Sequence, residues 1–191
     1  MRLKKISVLF SLISMSSVAA SDIETTTRFK QFTPAKNGEI VVETGVSLAH
    51  SNFENLYYSS VSYRTPSMLF NIPTYLNLEL GGLVGQGCVE SACRIASGES
   101  KTNFNTLLMG ISEEYLLIDK KNFYISFSLG AYIKKPSSRI GSIFTFGERL
   151  AIGTKFSDFN LKLFARHFSN ASMTENNSGQ NFLGISLDVP L

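Results

Sequence analysis

Long stretches of strict period-two alternation are the feature that most constrains the fold of this chain. In "NFYISFSLGAYIK", residues 122–134, Phe123, Ile125 and Phe127 share one face, while Tyr124 and Ser126 share the other. This periodicity predicts β-strands with two unlike faces. Eight such segments follow one another, near residues 38–49, 56–64, 71–84, 103–116, 122–134, 143–156, 159–169 and 180–190. The chain is therefore predicted to be all-β.

The lengths of these segments and of their connections favour a membrane barrel. Several segments exceed ten residues, whereas a typical strand has about five or six, and a tilted strand of about ten residues crosses a bilayer. Tight turns at 119–122 and 157–158 alternate with long polar connections, as in outer-membrane barrels. We predict an eight-stranded antiparallel transmembrane β-barrel. A soluble barrel or sandwich is the alternative, because alternation does not tell which face lies inside.

The N-terminal 20 residues predict export. Arg2, Lys4 and Lys5 precede an apolar run that ends in Ala19 and Ala20, which is the pattern of a cleavable signal peptide. We expect a signal peptide at 1–20, one barrel domain at 21–191, and the outer membrane of a Gram-negative bacterium as the location. The net charge of +3 comes from this leader, so a nucleic-acid partner is not expected.

Two cysteines lie five positions apart in "GCVESAC". Two close cysteines in an exported protein favour a disulfide, so Cys88 and Cys93 are the predicted pair. A zinc site is disfavoured because no histidine or further cysteine lies near them. The sequence also contains no nucleotide-binding motif, and we expect neither a metal nor another cofactor.

A histidine and a serine share one face at the end of the seventh segment, in "FARHFSNAS". If the turn at 157–158 is a two-residue hairpin, Glu148 lies directly opposite His167. Ser169 then lies about 6.6 Å further along the strand. These residue types predict an esterase site in which Glu148 orients His167 and His167 takes the proton of Ser169. Asn170 is the predicted oxyanion donor.

The segment "RHFSNASMTENNSGQNFLGISLDVPL" resembles the C-terminal part of the lipid A 3-O-deacylase (PagL) family, and "FGERLAIGTKF" resembles that family's sixth strand. The resemblance implies an eight-stranded barrel that hydrolyses the ester-linked 3-hydroxyacyl chain at position 3 of lipid A. It also implies Ser169 as nucleophile, His167 as base and Asn170 as oxyanion residue. The sequence departs from the family at two positions, because Asn181 stands where the family has its acid and Ser172 where it has a glycine.

The third catalytic residue and the function are left with alternatives. Glu148 is the first choice as the acid, and Glu175 and Asn181 are the other residues that could orient His167. A lipid A deacylase, with lipopolysaccharide in the membrane as its partner, is the leading function. The alternatives are a non-enzymatic barrel, either an adhesin or a structural protein, and an outer-membrane phospholipase. A homodimer is also left open.

Overall fold

The computed structural model describes residues 38–48, 55–87, 102–136, 142–174 and 179–191. These residues form a closed barrel of eight antiparallel strands, which confirms the predicted fold. The strands are β1 (Glu39–Ser47), β2 (Asn55–Leu69), β3 (Ile72–Gly87), β4 (Thr102–Asp119), β5 (Phe123–Lys134), β6 (Phe144–Lys155), β7 (Asn160–Ser169) and β8 (Gln180–Pro190). Within these ranges no helix has the length and apolar character to cross a membrane.

Each strand pairs with the next in sequence, and β8 closes the barrel against β1. The connections at one end are short, at 70–71, 120–122 and 156–159, and those at the other end are long, at 48–54, 88–101, 135–143 and 170–179.

Three of the predictions lie outside the described residues: the signal peptide at 1–20, the pair Cys88 and Cys93, and Glu175.

Strands β2 and β4 are longer than the alternation predicts. The predicted β2 segment ends at residue 64, before Pro66 interrupts the pattern, but pairing with β3 continues to Leu69 and Ile72. The hairpin closes through Phe70 and Asn71, which both have positive φ, as tight two-residue hairpin turns require. Tertiary pairing thus extends a strand beyond the residues whose own pattern indicates it.

The two faces of the barrel decide between a membrane protein and a soluble one. Large apolar side chains point outward and stay exposed, among them Leu78, Leu107, Leu163 and Ile185. Polar and charged side chains point inward and are buried, among them Glu43, Glu114, Arg149 and Lys162. Soluble barrels have the opposite arrangement, and an exposed apolar band of this kind is the lipid-facing surface of a membrane barrel. The alternative of a soluble barrel is therefore excluded.

Ion pairs and aromatic rings fill the interior. Arg166 pairs with Glu79 at 2.7 Å and with Glu43 at 2.8 Å, while Lys162 pairs with Asp188 at 2.8 Å. Both of these inward-facing cations therefore have anionic partners inside the barrel. A layer of rings packs beside the ion pairs and is made of Tyr58, Tyr132, Phe164, Phe168 and Phe182. Buried charges need such partners because an unpaired charge in a low-dielectric interior is costly.

Candidate active site

The predicted register between β6 and β7 is confirmed. The backbone of Phe156 donates a hydrogen bond to the carbonyl of Phe159 at 2.9 Å, and the pairing that follows sets Glu148 opposite His167. On the other side of β7, Asn181 of β8 also lies opposite His167. Three polar residues therefore form one row across β6, β7 and β8, on the outward face of the barrel.

The row lies near the edge of the apolar band, at the end with the long connections. His167 is eight residues from Phe159, which stands beside the short β6–β7 turn. Eight residues span about 26 Å along a strand, or about 20 Å along the barrel axis at a tilt of about 40°. Since the apolar band of such barrels is about 25 Å tall, the row belongs at a membrane interface rather than at the bilayer centre.

Inward-facing neighbours hold this part of β7 in place. Arg166 lies in the interior ion-pair network and within 4.7 Å of the ring centre of Tyr58. Phe168 packs edge-on against Tyr132, with ring centres 5.3 Å apart. His167 stands between these two buried anchors, so its backbone is supported on both sides by packed side chains. A site built on a strand held in this way is more rigid than one on a loop.

Asn181 orients the imidazole of His167. The ring atom Nδ1 lies 2.7 Å from the side-chain oxygen Oδ1 of Asn181. An amide oxygen only accepts hydrogen bonds, so Nδ1 carries the hydrogen and Nε2 is left as the acceptor. This tautomer is the one that a general base acting through Nε2 requires.

Gly179 makes room for the other edge of the ring. It is buried with φ of +68°, and a Cβ atom there would come within 2.6 Å of Cε1 and 3.3 Å of Nε2 of His167. Gly179 precedes Gln180, the partner of Phe168, and so stands at the same level as Ser169. The Cε1–Nε2 edge of the imidazole thus lies beside Gly179, at the position along β8 that is level with Ser169.

Ser169 is the last residue of β7 and is half-buried. Its carbonyl accepts a hydrogen bond from Oγ1 of Thr145 at 2.9 Å, and its partner across the strand is the exposed Phe146. Within the described residues, the Ser169 hydroxyl and the His167 ring are not hydrogen-bonded to each other. Catalytic hydrogen bonds often tighten only when substrate binds.

A turn that follows the serine is held by Asn170. Asn170 is fully buried, its Oδ1 accepts from the Ser172 backbone N–H at 3.1 Å, and its Nδ2 donates to Thr174 at 2.6 Å. Ala171 and Ser172 both have positive φ, which is rare for residues other than glycine and clusters at functional sites. Ser172 thus has a positive φ, which glycine adopts most easily. Asn170 anchors this turn, and its role as oxyanion donor stays a prediction.

Glu148 lies opposite His167 as predicted, but it lacks the hydrogen bond to the imidazole that an orienting acid needs. Among the described residues, no hydrogen bond or ion pair joins its carboxylate to His167, and the ring's Nδ1 is bonded to Asn181 instead. Glu148 is half-buried on the outward face, and its partner on β5 is the exposed Leu129. Of the two candidates that the structure describes, Glu148 and Asn181, Asn181 is the one hydrogen-bonded to His167.

A family model described as lipid A 3-O-deacylase (PagL) matches residues 90–190. The chain belongs to the lipid A 3-O-deacylase (PagL) family. The matched range includes β5 to β8 and therefore the whole row of polar residues. This assignment also supports the outer membrane as the location of the barrel.

Among solved structures, the chain is similar to the crystal structure of the outer membrane enzyme PagL, with a TM-score of 0.49, 15% identity, and coverage of 80% of this chain and 99% of that chain. A search of curated proteins found no match.

Sequence reasoning missed Gly179 as a residue of the site. The signal available was a single glycine in the polar stretch "TENNSGQN" just before the last strand. Its contact with the imidazole depends on how β8 pairs with β7 and on its positive φ, neither of which the local pattern reveals. Asn181 was among the residues that the sequence predicted could orient His167.

Proposed function

We propose that this protein is a lipid A 3-O-deacylase, a serine esterase that hydrolyses the ester-linked 3-hydroxyacyl chain at position 3 of lipid A in the outer leaflet. The observation that carries the proposal is the orientation of His167. Its Nδ1 is bonded to Asn181, and its Cε1–Nε2 edge lies beside Gly179, which is level with Ser169, on the lipid-facing rim of a barrel that belongs to this family.

In the first half of the reaction, Ser169 is the nucleophile and His167 the base. The proton of the Ser169 hydroxyl passes to Nε2 of His167 while Oγ attacks the ester carbonyl carbon. The negative charge that forms on the carbonyl oxygen is stabilised at the turn that Asn170 organises. When the intermediate collapses, the bond from the acyl carbon to the sugar oxygen breaks, and the imidazolium returns its proton to that oxygen. The acyl chain remains on Ser169 as an ester.

In the second half, water releases the fatty acid. His167 takes a proton from a water molecule, whose oxygen attacks the acyl carbon, and the protonated imidazole then gives its proton to the departing Oγ of Ser169. The site lies near a membrane interface, where acyl chains and water are both within reach. This position suits a substrate whose ester lies between a hydrated sugar and the hydrocarbon region.

Asn181 stands in place of the family's acid, and an amide there is expected to stabilise the transition state less than a carboxylate would. Asn181 fixes the tautomer of His167 through its Oδ1, but it brings no negative charge to stabilise the imidazolium that forms in the transition state. We therefore expect a working but slower esterase than one with a carboxylate at position 181.

The test is mass spectrometry of lipid A from Gram-negative cells that express this chain or its S169A variant. We expect the wild type to remove one 3-hydroxyacyl chain and S169A to remove none, because the variant lacks the nucleophile. Both proteins should migrate as folded barrels on unheated gels, since Ser169 is half-buried and its side chain is not part of the interior network.

Unchanged lipid A in cells that contain folded wild-type protein would refute the proposal. Removal of the chain by S169A as well would refute the assignment of Ser169.

A further inference from the structure

The carboxylate of Glu148 is unusual for the lipid-facing surface. It stands on the outward face near Leu129 and Leu150, which are both exposed apolar residues, and the described residues offer it no hydrogen bond or ion pair. A second outward-facing carboxylate, Glu113, accepts a hydrogen bond from Ser67 at 3.2 Å. An ionisable group on the lipid-facing surface near the membrane interface, with no partner among the described residues, is costly and points to a function.

We propose that Glu148 is a specificity-determining residue that accepts a hydrogen bond from the hydroxyl group of the acyl chain, two carbons beyond the ester carbonyl. This proposal rests on the proposed deacylase function and names the residue that selects a hydroxylated acyl chain over an unsubstituted one. It gives Glu148 a role in binding the substrate, separate from the orientation of His167, which Asn181 already provides.

The arrangement of β6 supports this role. Phe146 lies opposite Ser169, and Glu148 follows two positions deeper on the same outward face, about 6.6 Å along the strand. Leu150 and Ile152 continue that face and are both exposed. An acyl chain with its carbonyl at Ser169 and its tail in the membrane can follow this column. Its third carbon then passes the carboxylate before the tail reaches the two apolar residues.

A carboxylate that binds a hydroxyl discriminates against a chain without one. A hydroxylated chain gives the carboxylate a hydrogen-bond donor, while an unsubstituted chain leaves it without a partner in an apolar setting. Since hydrogen bonds to charged groups are worth more than neutral ones, we expect the wild type to prefer the hydroxylated ester by roughly ten- to a hundredfold.

The experiment uses full-length protein in detergent micelles and two glucosamine phosphates, one with a 3-hydroxytetradecanoyl ester at position 3 and one with a tetradecanoyl ester. Initial rates on both esters are measured for the wild type, E148L, E148Q and the control E113Q. We expect E148L to lose most of the preference by slowing hydrolysis of the hydroxylated ester, and E148Q to retain part of it through its amide oxygen. E113Q should keep the wild-type ratio.

The outcomes separate this proposal from the one on which it rests. Equal wild-type rates on the two esters, or an equal loss on both in E148L, would overturn the role of Glu148 while the deacylase function stands. An equal loss would instead fit a role of Glu148 in the chemical step. Failure of the folded wild type to hydrolyse either ester would overturn both proposals. A fall of the preference in E113Q to the same extent would show that the effect is not specific to Glu148.

Discussion

Replacement of Gly179 by alanine tests the geometry of the site most directly. The added Cβ would lie 2.6 Å from Cε1 of His167, whereas carbon atoms in good contact are about 3.5–4.0 Å apart. The ring must therefore move by about 1 Å, and the bond to Asn181, now 2.7 Å long, is expected to lengthen or break. Alanine at a φ of +68° adds a strain of about 1–2 kcal/mol.

The expected result is a large loss of activity with a small loss of stability. A displacement of about 1 Å in a catalytic group can lower the rate about a hundredfold, so G179A should deacylate lipid A roughly a hundred times more slowly than the wild type. The barrel itself should fold, because the strain is confined to one residue before β8. Initial rates in micelles and urea unfolding followed by gel mobility measure the two effects separately.

A matched control is available at Gly82. A Cβ there would meet only the carbonyl oxygen of Thr106, at 3.4 Å, and its φ is ordinary for a strand. G82A should therefore keep wild-type activity and stability within about 1 kcal/mol. Wild-type activity in G179A would show that the imidazole does not need its present position. A similar loss in G82A would show that the barrel responds to any added methyl group.

Two further substitutions probe the orientation of the base and the interior network. N181A should lower the deacylation rate tenfold or more, since His167 loses the hydrogen bond that sets its tautomer. N181E should exceed the wild-type rate, because a carboxylate also stabilises the imidazolium. A wild-type rate in N181A would contradict this role of Asn181. R166M should lower the free energy of unfolding by about 3–5 kcal/mol, because Glu43 and Glu79 lose a buried counter-charge. Urea titration measures this change, and an unaltered midpoint would mean that the remaining cations compensate.

Much of the fold was predictable because the barrel repeats one simple rule. Along each strand, residues that face lipid alternate with residues that face the interior. The eight alternating segments of the sequence correspond to the eight strands observed. The prediction failed where the rule is interrupted, as at Pro66 in β2 and at the register shift between Leu116 and Ile118 in β4. There the pairing of neighbouring strands, which local sequence does not encode, sets where each strand ends.

The register around the site was also predictable, but the contacts within it were not. A two-residue turn determines which residues of β6 and β7 face each other, so the pairing of Glu148 with His167 followed from the sequence. Which neighbour the imidazole binds depends on the rotamer of His167, with Glu148 on one side and Asn181 on the other. The structure selects Asn181, and the carboxylate of Glu148, although it lies opposite His167, stays on the outward face of the barrel.

The sequence by itself determined the strand count, the register between β6 and β7 and the identity of the residues that share a face with Ser169, because all of these depend on periodicity and turn length. Only the tertiary structure decided which face meets the membrane, how the interior charges pair, and that the missing side chain of Gly179 leaves space for the imidazole of His167. These features arise from contacts between residues far apart in the chain, such as Arg166 with Glu43. The energy of such contacts is set by distance and burial after the barrel has closed, so no local pattern records it.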